Sequence, residues 1–156
     1  MADWIAARGH TPVFSGSTAE KDPIDQIRHH MTHPSLNLAG RCDLMTFAEI
    51  IGRSRCMVTV DSASMHMAVA MRTPVVALFG PTASQRWGPY PNGCLNIVVE
   101  KQGNCRFCKR QKGCAERKCL TLARPEPNIG LPAGGKTAGI GSFRSGSAPR
   151  RALIIS

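Results

Sequence analysis

Long apolar runs and aromatic residues are both scarce in this sequence. No stretch approaches the roughly 18 consecutive apolar residues that a membrane-spanning helix needs, and the N-terminus lacks the basic, apolar and small-residue regions of a signal peptide. There are five Phe, two Trp and one Tyr among 156 residues, and this aliphatic composition favours an α/β layered protein over an aromatic-rich sandwich. We therefore expect a cytoplasmic protein with one domain-sized core.

Acidic residues are nearly missing from two segments. Residues 101–119 contain seven Lys/Arg against one Glu, and residues 127–156 contain four Lys/Arg and no acid. The rest of the chain has nine charges of each sign, so these two segments account for the whole net charge of +10. This distribution indicates local contact with phosphate groups or anionic lipid, and the alternative is a solvated loop and tail.

Apolar runs that alternate with helical patterns predict the fold. In chain order we predict a helix ending at Gly9, an apolar run over 11–14, helices over 23–31 and 43–53, strands over 56–60 and 75–79 with a helix over 64–71 between them, and a further strand over 95–99. Asp43 is placed to cap the helix over 43–53. Continuous apolar runs between helices are typical of parallel strands covered on both faces. The sequence predicts an α/β, Rossmann-like, doubly wound parallel sheet of roughly five strands.

The chain divides into two regions by composition. We predict a Rossmann-like domain over residues 1–126, which includes a Cys-rich basic loop at 101–119. Residues 127–156 contain six Gly and three Pro and lack apolar periodicity until the last residues, so they bury too little apolar surface to order themselves. We predict that 127–156 is a disordered Gly/Ser/Arg-rich tail.

The most informative stretch is residues 58–82. It places Asp61 at the carboxyl end of a predicted strand and two hydroxyls, Ser62 and Ser64, at the start of the next helix. Open α/β sheets bind ligands at the carboxyl ends of their strands, and a helix N-terminus binds phosphate. A carboxylate there can accept hydrogen bonds from sugar hydroxyls. The alternatives are ordinary helix capping and, for His66, a packing role.

The same stretch resembles the signature of glycosyltransferase family 9, the ADP-heptose:lipopolysaccharide heptosyltransferases. The resemblance rests on Asp61-Ser62-x-x-Met65-His66-x-Ala68-x-Ala70 followed by Thr73-Pro74-Val75-Val76-Ala77-Leu78-Phe79-Gly80-Pro81-Thr82. Upstream, Leu38-Ala39-Gly40-Arg41 resembles the family's N-L-x-G-K segment, and Gly16 to Glu20 resembles its Gly-x-x-x-Glu turn. Agreement in order and spacing covers about residues 4–126.

This resemblance implies a GT-B fold, of which the chain would be the C-terminal, donor-binding half. Asp61 would then bind hydroxyls of the donor sugar, and Glu20 those of the ribose. Ser62 and the backbone at Ala63 would bind the diphosphate, and His66 would support the phosphate loop. Many family members have Gly where this chain has Ala63, and a Cβ there narrows the freedom of the backbone.

The implied function is transfer of heptose from ADP-heptose to the lipopolysaccharide inner core, at the inner face of the inner membrane and with no required cofactor. The family's general base is a carboxylate of the N-terminal domain, so we assign no catalytic residue here. We expect an inactive fragment whose acceptor is bound through a missing N-terminal domain. After residues 122–126 the sequence departs from the family's final helix, and our hypothesis for this change is a shifted reading frame.

A cluster of four cysteines lies in the basic loop: Cys105, Cys108, Cys114 and Cys119. Four thiols so close together are able to bind Zn²⁺, although their spacing differs from a standard zinc ribbon, and reduced thiols without metal are the other interpretation. The rival function is a small basic zinc-binding module that contacts nucleic acid. Because Phe107 is the single aromatic residue of residues 101–119, a base-stacking surface is not indicated, and we expect no nucleic-acid partner.

Overall fold

The computed structural model describes residues 1–91, 94–100 and 152–156. Its strands are β1 (Thr11–Phe14), β2 (Leu36–Asn37), β3 (Cys56–Val60), β4 (Val75–Phe79), β5 (Asn96–Glu100) and β6 (Ala152–Ile155). Its helices are α1 (Ala2–Ala6), α2 (Lys21–His29), α3 (Leu44–Arg53), α4 (Ala63–Ala70) and α5 (Ser84–Trp87), and a 3₁₀ turn over Thr18–Glu20 precedes α2. The strands form one sheet in the order β2-β1-β6-β3-β4-β5, and all of its pairings are parallel.

Helices cover both faces of this sheet. The larger core cluster packs α3 and α4 against one face, and its buried members include Val13, Ile51, Met57, Met65, Phe79 and Ile154. A smaller cluster of Phe14, Ile24 and Ala39 lies on the other face, with Ala2 of α1 packed against it. Val13 and Phe14 belong to different clusters because successive side chains of a strand point to opposite faces. The predicted doubly wound α/β class is confirmed.

Local signals set the ends of several elements. Asp43 precedes α3, and its carboxylate accepts a hydrogen bond from Thr46 N at 2.7 Å, as predicted for a capping residue. Gly9, the predicted end of the first helix, has a φ of +79°. The two central apolar runs form β3 and β4 with the predicted bounds. No helix in the part of the chain described here is long and apolar enough to cross a membrane.

The sheet differs from the prediction at residues 152–155. We predicted disorder over 127–156, but Ala152–Ile155 form β6, which lies between β1 and β3 and pairs with both. Ile154 is completely buried. The prediction of disorder is therefore wrong for these four residues, because a short apolar run gains its stability from strands that are distant in sequence. Residues 127–151 lie outside the described residues.

The direction in which the chain winds reverses in the middle of the sheet. From β1 the chain passes to β2 on one side, and from β3 it passes through β4 to β5 on the other. The reversal falls between β1 and β3, where β6 lies. Ligands of doubly wound proteins bind outside the carboxyl ends of the strands at such a point. We call this region, formed by residues 15–20, 59–64 and Ser156, the switch-point edge.

Candidate functional site

Asp61 lies at the switch-point edge, immediately after β3. The strand ends at Val60 and α4 begins at Ala63, so Asp61 occupies the short turn between them. Its side chain is half-buried, and its carboxylate forms no hydrogen bond or ion pair with other described residues. Both carboxylate oxygens can therefore accept hydrogen bonds from a ligand.

A network of hydroxyl groups lies beside Asp61. The Oγ atoms of Ser62 and Ser64 are 2.8 Å apart, and Thr59 Oγ1 lies 3.1 Å from the first and 3.2 Å from the second. Ser156 joins the network from β6, with its Oγ 3.1 Å from Ser64 Oγ. The network surrounds the N-terminus of α4, where the first backbone N–H groups have no acceptor within the helix. Hydroxyl donors and a helix N-terminus suit an anion such as phosphate.

Ala63 is the first residue of α4, and it is exposed. Its φ is not positive, since Arg72 is the one residue other than Gly that has a positive φ within residues 1–91, 94–100 and 152–156. A Cβ at Ala63 therefore imposes no backbone strain. The exposed position leaves the backbone of this first helical turn open to a ligand.

Glu20 lies at the same edge, at the end of the 3₁₀ turn that follows β1. Its Oε2 accepts hydrogen bonds from Ser17 Oγ and Ser17 N, both at 2.7 Å. These two hydrogen bonds lower the pKa of the Glu20 carboxyl group. The carboxylate is thus charged at neutral pH, exposed and held in one position, as an acceptor for ligand hydroxyls requires.

Gly40 fixes the turn that carries Glu20. Gly40 N donates a hydrogen bond to Gly16 O at 3.0 Å. The φ of Gly40 is +66°, and a Cβ on this residue would come within 2.5 Å of Thr18 Oγ1 and 2.9 Å of Thr18 Cα. The two upstream segments on which the resemblance rests therefore pack directly against each other, and glycine is required at their contact.

His66 lies in the first half of α4 and is half-buried. Its ring centroid is 6.2 Å from that of Tyr90, with the ring planes at 41°. No hydrogen bond joins its imidazole to any residue described here. His66 thus lies on the helix that starts at the hydroxyl network. Its ring contact is with Tyr90, a residue that the sequence analysis did not single out.

Sequence reasoning also passed over two serines of the switch-point edge. Ser15 directly follows the buried strand β1, and a polar residue in that position is a usable signal for a site at the carboxyl edge. Ser156 carried no such signal, because it lies 92 residues from its neighbour Ser64 in the chain. The predicted residues Asp61, Ser62, Ala63 and His66 lie on one turn and helix, and Glu20 lies across β6 from them.

Metal binding was predicted for Cys105, Cys108, Cys114 and Cys119, which all lie outside the described residues. The described parts of the chain contain no group of three or more His, Cys, Asp or Glu residues that could hold a metal ion. The zinc site stays a prediction, which metal analysis of the purified protein can check.

A parallel sheet wound in both directions defines a Rossmann-like protein, and a carboxylate, hydroxyls and a helix N-terminus lie at its switch point. The chain belongs to glycosyltransferase family 9 (heptosyltransferase), whose model matches residues 1–119. The family resemblance seen in the sequence is confirmed.

Several known proteins are similar to this chain. Lipooligosaccharide heptosyltransferase 2 of Haemophilus ducreyi is 34% identical over 115 residues, which make up 70% of this chain and 33% of that protein. The enzyme of the same name from Haemophilus influenzae is 30% identical over 93 residues, which are 57% and 27% of the two chains. The solved structure of Escherichia coli ADP-heptose LPS heptosyltransferase II superposes with a TM-score of 0.60 at 26% identity, over 67% of this chain and 32% of that one. The chain spans about a third of the length of the relatives it matches, and its fold is that of one Rossmann-like half of a GT-B protein.

Proposed function

We propose that the switch-point edge binds the nucleotide-sugar donor of a heptosyltransferase, with ADP-heptose as the donor. The observation that carries this proposal is the unengaged carboxylate of Asp61 beside the hydroxyl network at the start of α4. The name of the E. coli relative supports the choice of donor, since it is described as an ADP-heptose enzyme. We assign the diphosphate to Ser62 and the backbone of Ala63, and the ribose to Glu20.

The charges of donor and site decide which part of the ligand each group meets. A diphosphate ester is ionised at neutral pH and offers acceptors only, so it repels a carboxylate and favours the N–H groups and hydroxyls at the helix start. Sugar hydroxyls are donors, and Asp61 can accept two of them at once. Asp61 therefore faces the sugar, while Glu20, charged and exposed beyond β6, faces the ribose.

We further propose that the whole protein transfers heptose to the lipopolysaccharide inner core at the inner face of the inner membrane. The names of the relatives support the reaction, and the basic residues of 101–119 suit contact with anionic lipid. The family resemblance assigns the general base to another domain and leaves no catalytic residue among Met1–Ser156. These 156 residues are therefore expected to bind the donor without transferring the sugar.

Calorimetric titration of the chain with ADP and with ADP-heptose tests the donor site. Loss of a charged acceptor should make Asp61→Ala bind ADP-heptose about tenfold more weakly and leave ADP binding nearly unchanged, because ADP lacks the sugar. Glu49→Ala is the matched control: it removes an exposed carboxylate that pairs with Arg53 on α3, and it should alter neither affinity. Equal losses for both ligands in Asp61→Ala would contradict the assignment of Asp61 to the sugar.

A further inference from the structure

A row of hydroxyl side chains crosses the switch-point edge on three neighbouring strands. The register pairs Ile155 of β6 with the last residue of β1 on one side and with Val58 of β3 on the other. The residues that follow, Ser15, Ser156 and Thr59, therefore lie side by side. The backbone pairing between the strands extends to these residues through two hydrogen bonds. Ser15 N donates to Ile155 O and Ser156 N donates to Val58 O, each at 2.9 Å. Adjacent strands are about 4.8 Å apart, so the row spans about 10 Å.

All three side chains of the row point to the face covered by α3 and α4. A strand repeats its side-chain direction at every second residue, and the residues two positions earlier belong to the core beneath these helices: Val13, Met57 and Ile154. The hydroxyls of Thr59 and Ser156 accordingly contact Ser64 in the first turn of α4. The row therefore faces the N-terminus of α4, where the diphosphate is proposed to bind.

Ser15 is the unpaired member of this row. The residue is 7% exposed, and its buried Oγ has no hydrogen-bond partner among the described residues. A buried hydroxyl without a partner destabilises a fold, so its presence calls for an explanation. The other hydroxyls are engaged with one another, and those of Thr59 and Ser62 also reach Val60 O, at 3.1 and 3.2 Å.

We propose that Ser156 and Ser64 donate hydrogen bonds to the diphosphate of the nucleotide sugar, and that Ser15 is a positioning residue behind Ser156. This inference rests on the proposed donor site and adds to it a strand, β6, from a distant part of the chain. Ser156 is exposed and can meet the ligand directly.

The hydrogen-bonding capacities of the groups explain the role of Ser15. A phosphate oxygen only accepts hydrogen bonds, whereas a serine hydroxyl donates one and accepts others. Ser156 Oγ has two lone pairs. When Ser64 and Ser156 turn their protons toward phosphate, neither donates to the other any longer, so Ser64 no longer competes for either lone pair of this acceptor. Ser15, next to it in the row, donates its proton to that acceptor. Ligand binding thereby satisfies the hydroxyl that is unpaired in the free protein.

Calorimetry with ADP and melting curves without ligand test the direct contacts, both on the 156-residue chain with an amidated C-terminus, so that no terminal carboxylate lies beside the Ser156 hydroxyl. Ser64→Ala and Ser156→Ala should each weaken ADP binding about tenfold, as expected for hydrogen bonds to a charged acceptor. Ser156→Thr, which keeps the hydroxyl, should retain most of the affinity. Thr11→Ala is the matched control, because it removes an exposed hydroxyl at the opposite end of β1 and should leave ADP binding unchanged.

Ser15→Ala separates a positioning role from a purely structural one. Removal of an unpaired buried hydroxyl should raise the ligand-free melting temperature by a few degrees, while the affinity for ADP falls. A lower melting temperature, or unchanged ADP affinity, would overturn the role of Ser15.

If Ser64→Ala and Ser156→Ala bind ADP as the wild type does, the proposed contacts are wrong and the donor site stands without them. If the wild type binds neither ADP nor ADP-heptose, the donor site itself is wrong, and these contacts with it.

Discussion

At the scale of single residues, the surroundings of a backbone position decide whether glycine is required there. Gly40 and Arg72 both have positive φ values, +66° and +54°. A Cβ at Gly40 would collide with Thr18, including its backbone, whereas Arg72 lies exposed in the turn after α4. The left-handed conformation alone costs roughly 1–2 kcal/mol and is tolerated at Arg72. At Gly40 the collision is added to that cost.

Gly40→Ala should therefore lower the free energy of unfolding by more than about 1–2 kcal/mol. It should also weaken ADP binding, because the displaced segment is the turn that carries Glu20. Arg72→Gly is the paired variant: it relieves a left-handed conformation without removing a close contact, and should leave stability unchanged or raise it by up to about 1 kcal/mol. Urea denaturation of both variants measures the difference. Similar destabilisation by both substitutions would show that contact with Thr18 is not the cause.

At the scale of secondary-structure elements, a polar cluster joins α2 to β2. The Nδ2 atom of Asn37 donates to Lys21 O at 3.1 Å and to Asp25 Oδ1 at 2.9 Å. Arg28 pairs with the same Asp25 Oδ1 at 2.7 Å and donates to Ser35 O at 2.8 Å. The hydrogen bond from Asn37, followed by that from Arg28, lowers the pKa of Asp25 to about 2. Ionised Asp25 is thus the acceptor that helix and strand share.

The stability of this cluster should depend on acid pH. Because the pKa of Asp25 in the folded protein, about 2, lies below the ordinary value of 3.8, its contribution is present above about pH 4 and is lost as the pH falls toward 2. Urea denaturation should show a gap in stability between wild type and Asp25→Asn near pH 5 that closes near pH 2. The gap will be modest because the group is partly exposed.

Asp22→Asn is the control for this experiment. Asp22 is also on α2, but its side chain is 88% exposed and 3.8 Å from Lys21. This variant should keep the acid dependence of the wild type. A gap of constant size between wild type and Asp25→Asn from pH 5 to pH 2 would mean that ionisation of Asp25 does not stabilise the fold.

At the scale of the whole molecule, β6 holds the sheet together. β1 and β3 do not pair with each other, and each pairs with β6 instead. Ile154 is completely buried in the same core cluster as Val13 of β1 and Met57 of β3. The strand thus supplies both the backbone hydrogen bonds and the apolar contacts that connect the two parts of the sheet. It also brings Ser156 to the candidate donor site.

Ile154→Ala should accordingly lower the free energy of unfolding by roughly 2–5 kcal/mol, the range for truncating a large buried aliphatic side chain. Ile155→Ala, at a partly buried position of the same strand, should cost less. Chemical denaturation followed by circular dichroism gives both values. A stability equal to that of the wild type for Ile154→Ala would show that residues 152–155 do not form part of the sheet in solution.

The sequence by itself determined the features that depend on neighbouring residues. The apolar runs of β3 and β4, the cap at Asp43 and the placement of Asp61, Ser62 and His66 on one turn and helix could all be predicted. Each follows from side-chain periodicity, from capping or from the family motif, and needs no information about distant segments. The Gly16–Glu20 turn was also located in this way.

Only the tertiary structure decided which distant segments meet. A four-residue apolar run in Gly- and Pro-rich surroundings carries no local sign of burial, so the entry of β6 between β1 and β3 could not be predicted. The contact of Gly40 with Thr18 and the alignment of Ser15, Ser156 and Thr59 were hidden for the same reason. Strand pairing and side-chain packing act between residues that are close in space and far apart in the chain, and these interactions placed Ser156 beside Ser64.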